Sequence, residues 1–206
     1  DFHLGSYPME NSKIREQHII SWLDFIKKEL ADLGIKITLF KGNHDMWMFG
    51  YLKNELNAEI VSNEKILDLN GKSFYIHHGD GLGPGDAKYK FLKKVFRSPV
   101  CQWLFARLHP NLGIGIAQRW SKHSRISNNS EEQFLGEENE WLIVYAKEIL
   151  EQQHYDYFIF GHRHYPYDIL LKNNSRIVNL GEWINFHTYA VWDGEELKLE
   201  KWNSEK

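Results

Sequence analysis

Four short clusters of oxygen and nitrogen donors stand out in this chain. They are Asp1 with His3 in DFHLG, Asn43 to Asp45 in KGNHD, His77 to Asp80 in HHGDGLGPGD, and His162 with His164 in GHRH. Asn offers a carbonyl oxygen, His an imidazole and Asp a carboxylate, enough for metal ligands, a proton donor and a group to orient it. No thiolate accompanies them, so the donor set is hard or borderline and admits Mn, Fe, Co or Zn. Two divalent cations about 3.5 to 4 Å apart can share a hydroxide, clamp a phosphoryl group and neutralise its developing charge, the two-metal route to phosphate ester hydrolysis. Such a site takes carboxylate, Asn carbonyl and several neutral imidazoles from different strand ends. Any one of these histidines alone reads better as a satisfied structural residue. The set of four clusters does not.

These residues need strands that end where they stand. KGNHD closes the apolar run Ile37, Leu39, Phe40, and a strand that stops at Gly with polar residues at its carboxyl end is where open α/β sheets build sites. Upstream, Ile19, Trp22, Leu23, Ile26, Leu30 and Leu33 form one helical stripe with Gly34 to stop it. Strands are expected over Ile35 to Phe40, Ser73 to His77, Tyr157 to Phe160, Arg176 to Leu180, Tyr189 to Trp192 and Glu196 to Trp202. Two short strands, Asn57 to Asn63 and Glu64 to Leu69, are expected around a turn. Glu140 to Gln152 reads as an amphipathic helix and Asn128 to Gly136 as a polar loop. From Lys88 to Arg125, apolar stripes broken by Pro99, Pro110 and Gly113 predict two or three short helices. Alternation of strand and helix argues an α/β layered fold.

A length of 206 residues with 42% hydrophobic content supports one domain over 1–206. The net charge of -3 hides an asymmetry: Ala87 to Ser130 holds no Asp or Glu and nine Lys or Arg, so the remainder carries -12. The single cysteine, Cys101, excludes an internal disulfide and fits a reducing compartment; inside its apolar stretch it reads as a small buried hydrophobe. No uncharged apolar run reaches about 18 residues and no signal peptide is visible. The chain opens at Asp1 without a methionine, which leaves room for residues upstream.

DFH, GNHD, HHGD and GHRH, in this order, resemble the calcineurin-like metallophosphoesterase superfamily. The resemblance covers almost the whole chain and implies an α/β sandwich of two mixed sheets flanked by helices. It implies two divalent metals, taken as Mn, with Asp1, His3 and His164 on one and Asn43, His78 and His162 on the other. His78 is chosen over His77 because the family's ligand directly precedes Gly; His77 is expected to pack or hydrogen-bond. The resemblance puts His44 at the substrate phosphate and Asp45 in its support. It also implies a GDxxD strand end between the first cluster and GNHD, whose first Asp bridges the metals. No Gly-Asp pair occurs from His3 to Asn43. A hidden chain break between Phe25 and Leu33 is the expected cause, and a decayed, non-catalytic site the alternative.

Within the superfamily, HGDGLGPGD followed by AKYKFLKKVF and later NLGEW is similar to the UDP-2,3-diacylglucosamine hydrolases of Bacteroidetes-like bacteria. This implies release of UMP and 2,3-diacylglucosamine 1-phosphate in lipid A biosynthesis, with Asn43, His44, Asp86, Tyr89 and His162 meeting the substrate. It also implies that 88–126 is a helical lid insert. Nine cations interleaved with Phe91, Phe96, Trp103, Phe105 and Trp120 suit an anionic lipid or membrane surface, so a lipid-linked nucleotide substrate and the cytoplasmic face of the inner membrane are the expected partners. An ordinary basic subdomain packed on the core is the plainer alternative. The apolar residues come as stripes rather than isolated stacking platforms, which argues against nucleic acid. No protein partner is predicted. A phosphoesterase for another nucleotide or phospholipid is the nearest enzymatic rival.

Overall fold

The computed structural model describes residues 17, 20–22, 24–25, 28, 33–44, 46–48, 50–85, 87–109, 111–113, 115–116, 119, 133–183 and 185–202. In chain order its elements are β1 (Thr38–Phe40), α1 (Gly50–Glu55), β2 (Glu59–Val61), β3 (Lys65–Leu69), β4 (Lys72–His77), α2 (Ala87–Arg97), α3 (Pro99–Phe105), α4 (Trp141–Leu150), β5 (Tyr157–Phe160), β6 (Tyr167–Leu170), β7 (Arg176–Asn179), β8 (Thr188–Trp192) and β9 (Leu197–Lys201). The main sheet runs β3-β4-β5-β7-β6, with β4, β5 and β7 parallel and an antiparallel strand at each edge. Two strand pairs accompany it: β1 with β2, parallel, and β8 with β9, antiparallel.

Side-chain alternation sends the central strands' residues to two different layers. Tyr75, Phe158, Phe160 and Ile177 meet Leu142, Ile143, Ala146 and Leu150, the buried stripe of α4. On the opposite face Phe74, Tyr157 and Val178 meet Leu197, with Ala190, Trp192 and Leu199 packed around them. Burial on both sides explains why Tyr157–Phe160 is continuously apolar. Each fully buried large side chain in these layers contributes about 1.5 to 3 kcal/mol. A smaller cluster of Ile37, Leu56 and Ala58, with Trp22 and Leu39 against it, supports β1 and β2.

The two short strands expected around a turn do not pair with each other. β2 lies beside β1, and β3 joins the main sheet next to β4. The hairpin is instead β3–β4, closed by Asn70 and Gly71 at φ 56° and 75°. Asn-Gly between apolar runs favours this tight turn because both positions need positive φ. The sequence reading also passed over α1 and β6. Cys101 is half-buried rather than buried. The window expected to hold a chain break, Phe25 to Leu33, falls almost entirely outside the described residues.

Away from the donor clusters, Asp156 ties together the amino ends of three parallel strands. Its Oδ2 accepts from Ser73 N and Ser73 Oγ at 2.9 Å each, its Oδ1 meets Lys72 Nζ at 2.9 Å, and its carbonyl accepts from Arg176 N at 2.9 Å. Burial works to raise this carboxyl, and the Ser73 and Lys72 bonds outweigh it, holding its pKa at about 2. An unfolded Asp titrates near about 3.9. The stabilisation is therefore full above about pH 4 and lost as pH falls toward about 2. Asp156→Asn is expected to remove about 1 to 2 kcal/mol at pH 7 and nearly nothing at pH 2. Urea midpoints of both proteins across that range check this, and an equal loss at both ends would refute it.

Candidate metal centre

The carboxyl ends of β4 and β5 lie side by side, and each delivers an imidazole. Gly161 N donates to His78 O at 2.9 Å, continuing the parallel pairing past the last strand residues. The two turns can approach this closely only because neither side interposes a side chain. A Cβ on Gly79 would lie 2.9 Å from Gly161 O. β1 ends nearby, and just after it Lys41 N donates to Val61 O at 2.8 Å, which fixes the start of the GNHD loop.

Three nitrogen and oxygen donors converge there. Asn43 Oδ1 is 3.2 Å from His78 Nε2 and 3.1 Å from His162 Nδ1. The two rings lie with centroids 5.4 Å apart and planes tilted by 58°. Two donors at right angles around one ion, each about 2.1 Å from it, sit about 3.0 Å apart, so these separations match an edge of a coordination shell. Burial, then the neighbouring His78, pushes the His162 pKa well below its ordinary value, which keeps the ring neutral and able to bind a cation. The residues present fit a divalent metal. Among the described residues no three His, Cys, Asp or Glu side chains gather as a cluster, and the converging trio owes its third member to an Asn.

Of the other residues singled out from the sequence, His44 is exposed at the loop tip and His164 is half-buried in the GHRH turn. Asp1, His3, Asp45 and Asp86 lie outside the described residues. His77 is buried against the sheet, and its Nδ1 accepts from Gly79 N at 2.8 Å. Burial lowers its pKa to about 4. It is neutral and turned to its own backbone.

A family model of calcineurin-like phosphoesterases matches residues 11–166. The chain belongs to that family. Membership implies divalent metal ions. Among curated proteins, the UDP-2,3-diacylglucosamine hydrolase of Porphyromonas gingivalis is 37% identical over 185 residues, 84% of this chain and 71% of that protein. Proteins of the same name from Yersinia enterocolitica and Salmonella paratyphi B are 28% and 30% identical over 160 residues, 76% of this chain and 65% of theirs. The chain thus spans about two thirds of the length of the curated relatives it matches.

In this calcineurin-like chain, α2 is bolted to the same turns. Asp80, fully buried two residues after His78, accepts from Tyr89 Oη at 2.7 Å and pairs with Lys93 Nζ at 2.7 Å. Burial opposes the charge on Asp80, but Lys93, His78 and Tyr89 prevail and hold its pKa at about 2. Lys90 Nζ reaches Gly83 O at 2.7 Å, and Arg97 reaches Ser62 O at 2.6 Å. Trp47, just past GNHD, donates from Nε1 to Phe96 O at 2.8 Å and packs edge-on against Phe105. The sequence reading missed Trp47 and Asp80 as anchors. Their signal was position alone: each lies within four residues of a proposed ligand.

Proposed function

We propose that the chain is a metal-dependent hydrolase of UDP-2,3-diacylglucosamine, releasing UMP and 2,3-diacylglucosamine 1-phosphate in lipid A biosynthesis. The observation that carries this reading is the set of exposed apolar and basic side chains on α2 and α3, the first of which is bonded to the turn that follows His78. α2 and α3 contain no buried residue, although their sequences form apolar stripes. Phe91, Val100, Trp103 and Leu104 are 54% to 69% exposed, and Arg107 stacks on Trp103 at 3.2 Å. A helix pair packed as ordinary core would bury that stripe. Acyl chains would cover it at about 0.8 kcal/mol per buried methylene. The names of the curated relatives support the same substrate.

Asn43, His78 and His162 hold one cation in this reading, and Asp1, His3 and His164 the other. Divalent ions held there, taken as Mn, would supply Lewis-acid stabilisation of the phosphoryl oxygens and activation of the attacking water. His44 donates to the developing oxyanion, and Asp45 orients it. Asp86 and Tyr89 contact the sugar-nucleotide side, and 88–126 forms the lid of a single domain. The exposed face also suits a peripheral seat on the cytoplasmic side of the inner membrane. Among the described residues no helix is long and apolar enough to cross a membrane.

UMP release from the diacylated substrate with Mn²⁺ is expected, with none in excess chelator. The deacylated sugar nucleotide should be cleaved far less efficiently, and Val100→Ser with Trp103→Ser should narrow that difference and weaken binding to anionic vesicles. Equal cleavage of both substrates would favour a phosphoesterase for another nucleotide. Silence in every metal would favour a decayed scaffold.

A further inference from the structure

Arg163 stands between His162 and His164, and the chemistry above makes no use of it. Its side chain is fully buried, and so is that of Glu140. Nε donates to Glu140 Oε2 at 2.9 Å and Nη2 to Oε1 at 2.8 Å, a two-pronged fork. Nη2 also reaches Gln133 O at 2.6 Å, and Leu135 N donates to Glu140 Oε1 at 2.9 Å. Glu140 sits at the start of α4 yet makes no capping bond to its own helix, so its carboxylate is committed to Arg163. α4 is itself fixed by Leu142 and Ile143, both fully buried.

The turn is held from its other sides too. The Trp141 ring lies 4.7 Å from the Arg163 guanidinium and 6.4 Å, edge-on, from the His162 ring. Asn179, at the end of β7, donates from Nδ2 to Arg163 O at 2.6 Å and to Tyr165 O at 2.7 Å. Inside the turn His162 has φ 67°, a left-handed conformation that a residue with a Cβ keeps only where its surroundings over-determine it. A buried ion pair is a poor way to gain stability, since apolar residues of similar size serve as well or better. What a fork adds is direction.

We infer that Arg163 and Glu140 are positioning residues for the metal centre: their buried fork fixes the GHRH turn so that His162 Nδ1 meets Asn43 Oδ1 where His78 Nε2 also arrives. This rests on the metal-centre reading above. It is tested with Mn²⁺ alone, by calorimetric titration of wild type, Arg163→Met, Glu140→Leu and the double variant, alongside thermal unfolding and amide exchange in metal-free protein. The single variants should be strongly destabilised, each leaving a buried charge unpaired. The double variant should regain most of the thermal stability. It should still bind Mn²⁺ about 10- to 100-fold more weakly, with faster exchange of the amides in 161–165. Wild-type affinity in a stable double variant would overturn the inference and leave the metal centre intact. Failure of the wild type to bind Mn²⁺ would overturn both. If the double variant does not fold, Arg163→Lys carries the test, because it keeps the charge and loses the fork. Weakened Mn²⁺ binding at near-normal stability supports the inference, and unchanged binding overturns it.

Discussion

His78→Ala and His162→Ala are each expected to lower turnover by about 10³-fold or more, since a bound cation supplies several kcal/mol of charge stabilisation and about 1.4 kcal/mol is a factor of ten. Both imidazoles meet the same Asn43 oxygen, so losing either opens the trio. Metal content, measured by elemental analysis after desalting, should fall with activity. His44→Ala makes the contrast. A group that meets the substrate only as charge develops should cost about 10²-fold in turnover while the metal stays bound. If the His78 and His162 variants lose activity but keep full metal, these residues are not ligands. If His44→Ala loses metal as well, it has been given the wrong role.

Asp80→Ala is expected to release the amino-terminal half of α2. It removes the acceptor of Tyr89 and the partner of a mostly buried Lys93, and breaking such a pair costs about 3 to 5 kcal/mol. The far end of the helix keeps its bonds from Arg97 to Ser62 and from Trp47 to Phe96. The damage should therefore be graded along α2, with amides near Lys90 losing exchange protection before those near Phe96. Asp80→Asn, which keeps an acceptor for Tyr89 but not the charge, should fall between. KM for the diacylated substrate should rise more than turnover falls, because the donor trio does not include Asp80. Unaltered protection along the helix would show that the apolar contacts alone hold α2.

Most of the main sheet could be read from local pattern. Tyr157–Phe160 and, within β4, Phe74 to Ile76 are apolar runs bounded by polar residues, and a strand buried on both faces has to look that way. The donor clusters were visible for the same reason, since each described one follows such a run and breaks it with Gly. Register was not visible. Whether β3 sits beside β2 or β4 depends on pairing, and Asn70-Gly71 was the one local mark that could have decided it. The Glu140–Arg163 fork left no trace of its own either. Its members are far apart in the chain, and Glu140 reads like any acidic residue at a helix start. α2 and α3 show the converse: the helical stripes were plain, but a stripe does not say whether protein or lipid will cover it.

β4 and β5 pair in parallel, Phe74 with Tyr157, although the whole stretch from 78 to 156 intervenes, and that stretch contains α2 and α3. Closing so long an excursion already carries most of its chain-entropy cost, which grows only with the logarithm of length. Doubling it would add about 0.6 kcal/mol. A segment inserted here can lengthen, shorten or change its sequence almost without penalty to the strands on either side, provided that Asp80 and Trp47 still find partners. On the proposed reading the fold thus separates two kinds of variation: the strand ends that carry Asn43, His78 and His162 would have to stay as they are, while α2 and α3 would be free to diverge with the acyl chains they cover.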